Sequence, residues 1–504
     1  MGHTELSPSP PTTSPKYELD APHLPPPELR IFVNRNLRMD TVAAIGFDMD
    51  YTLARYKREQ LERLAHRLTV EKLVKRGYPE DILKLGYDPS FVIRGLIVDK
   101  QLGNILKIDR HSHVGRVFHG RRPLNKDERR QVYRRERIAF VPPRFALVDT
   151  LFSLPEMCLY ADLVDFFATR GDAAQVDTWK IFDDVRESID EAHRDDTLKS
   201  VVKQDLPKYV ERDPLMARTL HKLRSSGKKL FLLTNSAFDY TDHLMRYLLD
   251  GELAEYAHWS SYFEWVVVTA KKPGFFKDQE PFVLLDPKGV PTGKPVTALE
   301  RGKVYEGGNL KDFERMTGMI GEQVLYVGDH IFGDILRSKK ASLWRTALVV
   351  EELEDEIRYS IEHAEDLQRL ADLEIERRNL DELTGLQRQH LATIEKRLGA
   401  EEARSSPEFE ALRLRRDQAK RQLKSVIAAI ETLETKVDAS FNKTWGFVFK
   451  ESGENSRFAE QVKDHACIYT SRVSNFLGYS THQYFRAPRD LLPHEREIMS
   501  TEDL

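Results

Sequence analysis

The chain has 504 residues, of which 40% are hydrophobic and 10% aromatic; this is enough apolar material for roughly two to four domains and excludes a disordered protein. Its 77 basic and 81 acidic residues give a formal net charge of −4, a near balance that argues against broad nucleic-acid binding but leaves room for a local basic pocket. With two cysteines, Cys158 and Cys467, and no apolar run of membrane-spanning length, the sequence predicts a soluble protein of the reducing cytoplasm, without a disulfide framework.

The first strand signal of the chain ends in two carboxylates. Residues 1–28 are rich in proline and predict a flexible leader, and residues 42–47 predict a short buried strand that runs into Asp48 and Asp50. Because side chains alternate along an extended chain, both carboxylates lean to the same side, where a cation or a proton must relieve their repulsion. This stretch alone fits two interpretations equally: a metal-assisted phosphoryl-transfer site, or an Asp-rich turn after a strand.

Helical and extended segments follow in turn. Apolar residues at helical spacing predict helices over 59–76, 155–167 and 185–193. Two shorter apolar runs, 91–98 and 145–148, predict strands.

Three further buried strands also have polar or charged residues at their ends. Residues 229–233 run into Thr234-Asn235-Ser236, residues 265–268 are followed by Lys272, and residues 323–327 are followed by Asp329 and Asp334. Short apolar runs that alternate with helices predict an α/β fold with a doubly wound parallel sheet. Because the carboxyl ends of parallel strands share one crevice, the four groups of residues are expected to meet there.

These residue types suit phosphoryl transfer, which mainly requires positioning and neutralisation of negative charge. Asp48 is the expected nucleophile, because an aspartate can form an aspartyl-phosphate. Asp50 is expected to protonate the leaving oxygen and later to deprotonate the attacking water. Asp48, Asp50 and Asp329 are expected to hold Mg²⁺, which prefers carboxylates, water and phosphate oxygens.

The remaining residues at these strand ends are expected to bind the phosphate. Thr234, Asn235 and Ser236 would donate hydrogen bonds to phosphate oxygens, and Lys272 would supply a fixed positive charge. Simpler interpretations exist for each, since the first three could cap the next helix and Lys272 could be a solvated loop residue. Asp334 could be a buried partner of Lys272 or a helix residue without a role.

The composition changes between residues 352 and 438, where Glu, Arg, Gln and Leu dominate. Residues 366–398 and 408–437 predict two long helices, with Gly399 and Pro407 at the break between them. Apolar residues of the second helix follow steps of three and four, which is typical of a helical hairpin or coiled coil. The pair is either an arm for assembly or partner docking, or two helices packed on their own domain.

The order Asp-x-Asp-x-Thr, Thr-Asn-Ser, Lys, Gly-Asp-x-x-x-x-Asp resembles the motifs of the haloacid dehalogenase superfamily. At greater length, residues 32–35, 46–53, 272–276, 328–336, 484–487 and 492–495 resemble the cytosolic purine 5′-nucleotidases, which prefer IMP and GMP. The resemblance implies a Mg²⁺-dependent hydrolase that acts through a phosphoaspartate, with Thr52 supporting the turn. It also implies transfer of the phosphoryl group to a second nucleoside in some members. We further expect a homo-oligomer, either a dimer or a tetramer.

The same resemblance implies a purine site. Phe152 corresponds to the ring that stacks on the purine, and four residues correspond to groups that contact the base or hold its nearby helix: Arg186, Asp190, His193 and Lys199. A flat ring supplies contact area, and arginine and aspartate can read the hydrogen-bonding edge of an oxopurine. The alternative is that Phe152 belongs to the core and that Arg186 and Asp190 form an i,i+4 surface pair.

The animal enzyme of that family has a separate nucleotide-effector site near Phe332 and Lys340, both present here. Asp149 stands where an amide is expected, and Asp464 stands where a basic residue is expected. Added carboxylates repel a polyphosphate. We therefore expect activation by ATP to be weak or absent.

The leading hypothesis is a cytoplasmic purine 5′-nucleotidase without nucleic-acid or membrane partners. The alternatives are a phosphatase of the same superfamily for another small phosphomonoester, and a nucleotide-binding scaffold that has lost catalysis. The expected domains are the leader (1–28), a core (29–60 and 205–352, with a small insertion after Lys272), a cap (61–204), the helical arm (353–438) and a C-terminal segment that packs back on the core (439–504).

Overall fold

The computed structural model describes residues 25–134, 138, 143–170, 177–336 and 342–500, with residues 332, 336, 497, 499 and 500 described by their backbone alone. A ten-stranded sheet forms the centre of the described part. Its strands, in chain order, are β1 (Phe32–Val33), β2 (Ala44–Phe47), β3 (Lys229–Leu233), β4 (Trp265–Val268), β5 (Phe282–Leu285), β6 (Pro291–Pro295), β7 (Val304–Gly307), β8 (Val324–Gly328), β9 (Arg345–Val349) and β10 (Ile468–Thr470).

The order across this sheet is β1-β10-β9-β8-β2-β3-β4-β7-β5-β6. The strands from β10 to β7 in that order are parallel neighbours, while β1, β5 and β6 run antiparallel to theirs at the two edges. The predicted α/β fold with a parallel sheet is therefore confirmed. The strand β10 shows in addition that the C-terminal part of the chain completes this sheet.

The central strand β2 carries the two carboxylates that end the first strand signal. Its Phe47 is in register with Leu232 of β3 and with Val327 of β8, so Asp48 emerges between the ends of these two strands. A Cβ atom on Gly46 would lie 2.2 Å from the ring of Phe231 on β3, so glycine is the residue that allows the neighbouring rings to close over β2.

A second, antiparallel sheet of five strands comes from the part of the chain between β2 and β3. Its strands are Ile97–Asp99, Asn104–Ile108, Val114–His119, Arg122–Pro123 and Phe145–Leu147. The predicted strand over 145–148 is confirmed, but the prediction over 91–98 is largely wrong. Gly95 has a φ angle of 87°, which turns the chain, so the strand begins only at Ile97 and pairs there with Leu147. Burial rather than strand pairing accounts for the apolar residues before Gly95.

Helices surround both sheets. They cover Arg58–Lys75, Lys126–Tyr133, Leu154–Thr169, Thr178–Arg194, Thr197–Gln204, Leu206–Tyr209, Met216–Ser225, Phe238–Leu249, Leu310–Thr317, Leu353–Glu362, Ala364–Leu398, Ala400–Arg404, Pro407–Phe441, Arg457–His465 and Pro493–Ser500. The helix predicted over 185–193 starts earlier, because the side chain of Asp177 accepts a hydrogen bond from the N–H of Lys180 and so caps the helix. None of the helices in the described part is both long and apolar enough to cross a bilayer.

The helices Ala364–Leu398 and Pro407–Phe441 pack against each other as a hairpin. One buried seam joins Leu373 to Val426 and Ile430, and a second, near the turn of the hairpin, joins Leu391 and Ile394 to Phe409. The predicted paired-helix arm is therefore present. Leucines and isoleucines remain exposed along it, among them Ile375, Leu383, Leu386 and Leu414.

Candidate active site

Three carboxylates and one lysine meet where β2 and β8 end. Oxygen atoms of Asp48, Asp329 and Asp334 all lie within 4.8 Å of one another. The Nζ atom of Lys272 lies 2.9 Å from Oδ1 of Asp48 and 2.7 Å from Oδ1 of Asp334, and it also donates to the hydroxyl of Tyr326 at 2.9 Å. Lys272 is thus no solvated loop residue, and Asp334 is its buried partner.

The charges in this cluster do not balance. Burial raises the pKa of Asp48 well above its usual value, and the neighbouring carboxylates add to this effect while Lys272 opposes it. Burial also raises the pKa of Asp329 to about 7, with a further contribution from Asp334. Burial alone would lower the pKa of Lys272, but Asp334 and Asp48 outweigh it and raise that pKa well above its usual value. Three carboxylates against one lysine leave a local deficit of positive charge.

This donor set fits a hard divalent cation. The ligand atoms are carboxylate oxygens, which Mg²⁺ prefers to nitrogen or sulfur, and the excess negative charge is what such an ion would neutralise. Asp48 and Asp329 belong to the predicted ligand set. The carboxylate of Asp50 is not part of the cluster; Asp334 stands in its place.

Asp50 points to a different group of residues. Its Oδ1 accepts a hydrogen bond from the hydroxyl of Tyr56 at 2.6 Å, and its Oδ2 accepts one from the hydroxyl of Ser236 at 2.8 Å. Tyr56 is in turn bonded to the hydroxyl of Tyr240 at 2.9 Å. Neighbouring Tyr51 has a φ angle of 53°, a left-handed conformation that is costly for an aromatic residue and that shapes the turn after β2.

The Thr-Asn-Ser segment after β3 is hydrogen-bonded to other groups of the site. Asn235 bonds both ways to the backbone of Lys272, accepting from its N–H at 2.6 Å and donating to its carbonyl at 3.0 Å. The buried Thr234 hydroxyl accepts from the N–H of Ser236 at 3.1 Å, and Ser236 itself faces Asp50. In this structure these side chains position Lys272 and Asp50. They do not cap the following helix, whose N-cap residue is Ala237.

The predicted role of Thr52 as a turn support rests on its backbone. Its N–H donates to the carbonyl of Met49 at 3.2 Å. The Oγ1 atom of Thr52 is buried without a hydrogen-bond partner in the described part of the chain. The side chain therefore contributes packing, and the main chain closes the turn.

A cavity of about 550 Å³ opens beside Asp50. All five residues of the expected purine site line it: Phe152, Arg186, Asp190, His193 and Lys199. Phe152 is half-buried and meets the ring of His193 at 5.4 Å between centroids, edge to face. Burial, together with the charge of Lys199, lowers the pKa of His193 to about 4, so this ring is neutral at physiological pH.

The predicted surface pair of Arg186 with Asp190 is not formed. Nη1 of Arg186 instead donates to Oε1 of Glu156 at 3.2 Å. Glu156 also lines the cavity, and burial raises its pKa to about 7. Sequence reasoning missed this residue, because an acidic residue just after Pro155 has the usual signature of an exposed first helical turn.

Arg94 is another residue that the sequence concealed. Its side chain is fully buried, forms two bonds to the carboxylate of Glu352, and donates to the backbone carbonyl of Asp329 at 3.2 Å. It thereby holds the end of β8 in place. An arginine inside the apolar run 91–98 was the one available signal, since a charged residue in such a run must find a buried partner.

The residues expected near an effector site are only partly described. Lys340 and the side chain of Phe332 lie outside the described residues. Asp149 lies 3.2 Å from Nε2 of His330; although burial alone would lower the pKa of His330, Asp149 raises it to about 9. The carboxylate of Asp149 is thus offset by a charged partner, which the sequence argument did not foresee. Asp464 is exposed.

A buried lysine between carboxylates at the carboxyl edge of a parallel sheet, beside a cavity of substrate size, is the arrangement expected of a phosphoric monoester hydrolase. Comparison with known proteins identifies the family of the chain. Residues 31–497 match the model of the 5′ nucleotidase family, and the chain belongs to this family.

Individual relatives agree with this. The chain is 31% identical over 494 residues to a 5′-nucleotidase domain-containing protein of Dictyostelium discoideum, covering 95% of this chain and 77% of the relative. It is 32% identical over 484 residues to the 5′-nucleotidase domain-containing protein 2 of Rattus norvegicus, covering 93% and 80%. A solved structure, CbbY from Rhodobacter sphaeroides in complex with phosphate, is 13% identical over 61% of this chain and 86% of that one, with a TM-score of 0.21.

Proposed function

We propose that this chain is a Mg²⁺-dependent 5′-nucleotidase that hydrolyses purine nucleoside monophosphates, IMP and GMP foremost, and that can pass the phosphoryl group to a second nucleoside. The observation that carries the proposal is the cavity beside Asp50. It joins the expected acid/base residue to an aromatic ring, Phe152, and to the polar groups of Arg186, Asp190 and Glu156. A planar base with polar edges suits such a lining.

The reaction runs in two steps through Asp48. A carboxylate oxygen of Asp48 attacks phosphorus, the bond to the nucleoside 5′-oxygen breaks, and Asp50 delivers a proton to that oxygen. In the second step Asp50 removes a proton from water, which attacks phosphorus and releases phosphate from Asp48. When water is replaced by the hydroxyl of a nucleoside, the same step yields a new nucleotide.

The remaining charges support these steps. Lys272 holds Asp48 and offers positive charge to the phosphate. Mg²⁺ held by Asp48, Asp329 and Asp334 would supply further neutralisation of the phosphate oxygens. Asn235 fixes the backbone of Lys272 through two hydrogen bonds and so positions the lysine beside Asp48.

A phosphate-release assay tests this proposal. Nucleoside monophosphates of all common bases, ribose 5-phosphate and p-nitrophenyl phosphate are supplied with and without Mg²⁺. We expect the highest kcat/KM with IMP and GMP, and no turnover in a chelator. A higher kcat/KM for ribose 5-phosphate or CMP than for IMP would favour the alternative, a phosphatase of the same superfamily for another small phosphomonoester.

A further inference from the structure

We infer that Tyr56 is a positioning residue for the acid/base Asp50, through a chain of hydroxyl groups that runs from Tyr240 to Tyr56 to the Asp50 carboxylate. This inference rests on the proposed function, because it concerns the step in which Asp50 gives its proton to the leaving oxygen. Neither Tyr56 nor Tyr240 stands in any of the sequence motifs at the strand ends.

The hydrogen bonds define the direction of this chain. A tyrosine hydroxyl has one proton to donate, and that of Tyr56 goes to Oδ1 of Asp50 at 2.6 Å. The bond of 2.9 Å between the two tyrosine hydroxyls must therefore be donated by Tyr240. Both of these tyrosines are largely buried at the wall of the cavity, and each hydroxyl has a defined partner.

The geometry favours the form of Asp50 that arises during the reaction. When the bond between phosphorus and the 5′-oxygen breaks, the proton of Asp50 moves to that oxygen and a carboxylate remains. Oδ1 then accepts from Tyr56 and Oδ2 accepts from Ser236 at 2.8 Å. Bonds to a charged acceptor are stronger than bonds to a neutral one, so these donors stabilise the carboxylate as its charge develops.

The ring of Tyr56 is held in place independently of its hydroxyl. Tyr56 lies on a short strand, Arg55–Tyr56, that pairs with Val210–Glu211. Its ring packs edge to face against Tyr51, 5.0 Å away between centroids. Removing only the oxygen in Tyr56→Phe therefore leaves the ring and the strand where they are, and it removes the bonds of this hydroxyl to Asp50 and to Tyr240.

The leaving group separates positioning of the acid from general damage. A nucleoside 5′-oxygen is a poor leaving group that needs a proton, whereas p-nitrophenolate leaves without one. The ratio kcat/KM reports the steps up to formation of the phosphoaspartate. In these steps the nucleotide needs Asp50 as an acid, whereas p-nitrophenyl phosphate does not. We expect Tyr56→Phe to lower kcat/KM for IMP roughly 10- to 100-fold, the equivalent of one hydrogen bond to a charged group, and to change kcat/KM for p-nitrophenyl phosphate less than about twofold. Because Tyr56 also lines the cavity, ribose 5-phosphate, which needs the acid but has no base, should lose the same factor as IMP; a loss confined to IMP would assign Tyr56 to contact with the base and refute its role at Asp50.

Two further variants complete the experiment. Tyr87→Phe is the matched control, because Tyr87 is also buried and donates to a carboxylate, that of Glu62 at 2.7 Å, outside the residues that line the cavity. It should leave both kcat/KM values unchanged. Asp50→Asn should show the same split between the two substrates as Tyr56→Phe, with a larger loss. Thermal melting of each variant establishes that it is folded.

The outcomes separate the role of Asp50 as the acid from the role of Tyr56 as its positioning residue. If Asp50→Asn shows no split, Asp50 is not the acid, and both the mechanism and the inference fail. If Asp50→Asn shows the split but Tyr56→Phe lowers both substrates equally, or neither, only the role of Tyr56 is refuted. A split in Tyr87→Phe would also refute it. If no nucleotide is hydrolysed but ribose 5-phosphate is, the purine proposal fails, and Tyr56 is judged with that phosphomonoester in place of IMP.

Discussion

Replacing Lys272 with methionine removes the positive charge from the centre of the site while nearly keeping the size of the side chain. The Nζ atom of Lys272 lies 2.9 Å from Asp48 and 2.7 Å from Asp334, and only 3% of this side chain is exposed. At such distances each charge pair is worth about 6 kcal/mol with an effective dielectric constant of about 20. Loss of one partner of a buried pair costs about 3–5 kcal/mol, because desolvation offsets part of the attraction.

We therefore expect Lys272→Met to lower the free energy of unfolding by about 3–5 kcal/mol in metal-free buffer, as measured by urea denaturation. Added Mg²⁺ should restore more stability to the variant than to the unchanged protein, because the ion neutralises the same carboxylates. Turnover of IMP should fall at least about 100-fold.

The neighbouring Lys271 provides the matched control. Its Nζ atom lies 2.9 Å from Glu280, but 61% of the Lys271 side chain is exposed, and such surface pairs contribute less than about 1 kcal/mol. Lys271→Met should thus leave stability nearly unchanged. If Lys272→Met also cost less than about 1 kcal/mol, the view of Lys272 as the main counter-charge of a buried carboxylate cluster would be wrong.

Four further predictions follow from the sequence and the structure. Asp48→Asn should abolish phosphate release from IMP while the melting temperature stays near that of the unchanged protein, because Lys272 keeps its pair with Asp334 and the cluster loses one of three repelling carboxylates; persistent turnover would refute Asp48 as the nucleophile. Burial raises the pKa of Glu356 to about 8. Between about pH 4.5 and 8 the folded state therefore holds a proton on Glu356 that the unfolded state has lost. As the pH rises through this window, the free energy of unfolding should fall by up to about 1.4 kcal/mol per pH unit. Urea titrations at pH 5.5 and 8.5 should show a smaller fall for Glu356→Gln; an equal fall would assign the effect to other groups. Light scattering should give the mass of a dimer or tetramer, as we infer from the exposed Ile375, Leu383 and Leu386 of the arm. Replacing these three residues by glutamine should reduce that mass. A monomeric mass for the unchanged protein would contradict this prediction. Millimolar ATP should raise IMP hydrolysis little or not at all; since His330 offsets the charge of Asp149, this expectation now rests on Asp464, and strong activation would overturn it.

The sequence by itself determined four of the ten strands, β2, β3, β4 and β8, and the residues at their carboxyl ends. Short apolar runs that end in polar residues are a local signal, and the rule that parallel strands end on one side converts it into a site. This is why Asp48, Lys272 and Asp329 could be predicted to meet without any coordinates. The long helices of the arm were equally predictable, because their periodicity extends over many turns.

Only the tertiary structure decided which side chains face one another within that site. Asp334 belongs to the carboxylate cluster because it pairs with Lys272, which lies far away in the sequence. The carboxylate of Asp50 lies outside the cluster because it pairs with Tyr56, which is near in the sequence but belongs to no motif. Arg94 and Glu156 were concealed for the same reason, since the pairing of a buried charge depends on contacts across 258 and 30 positions of the sequence. A strand end has a local signature, whereas the partner of a buried charge is chosen by packing.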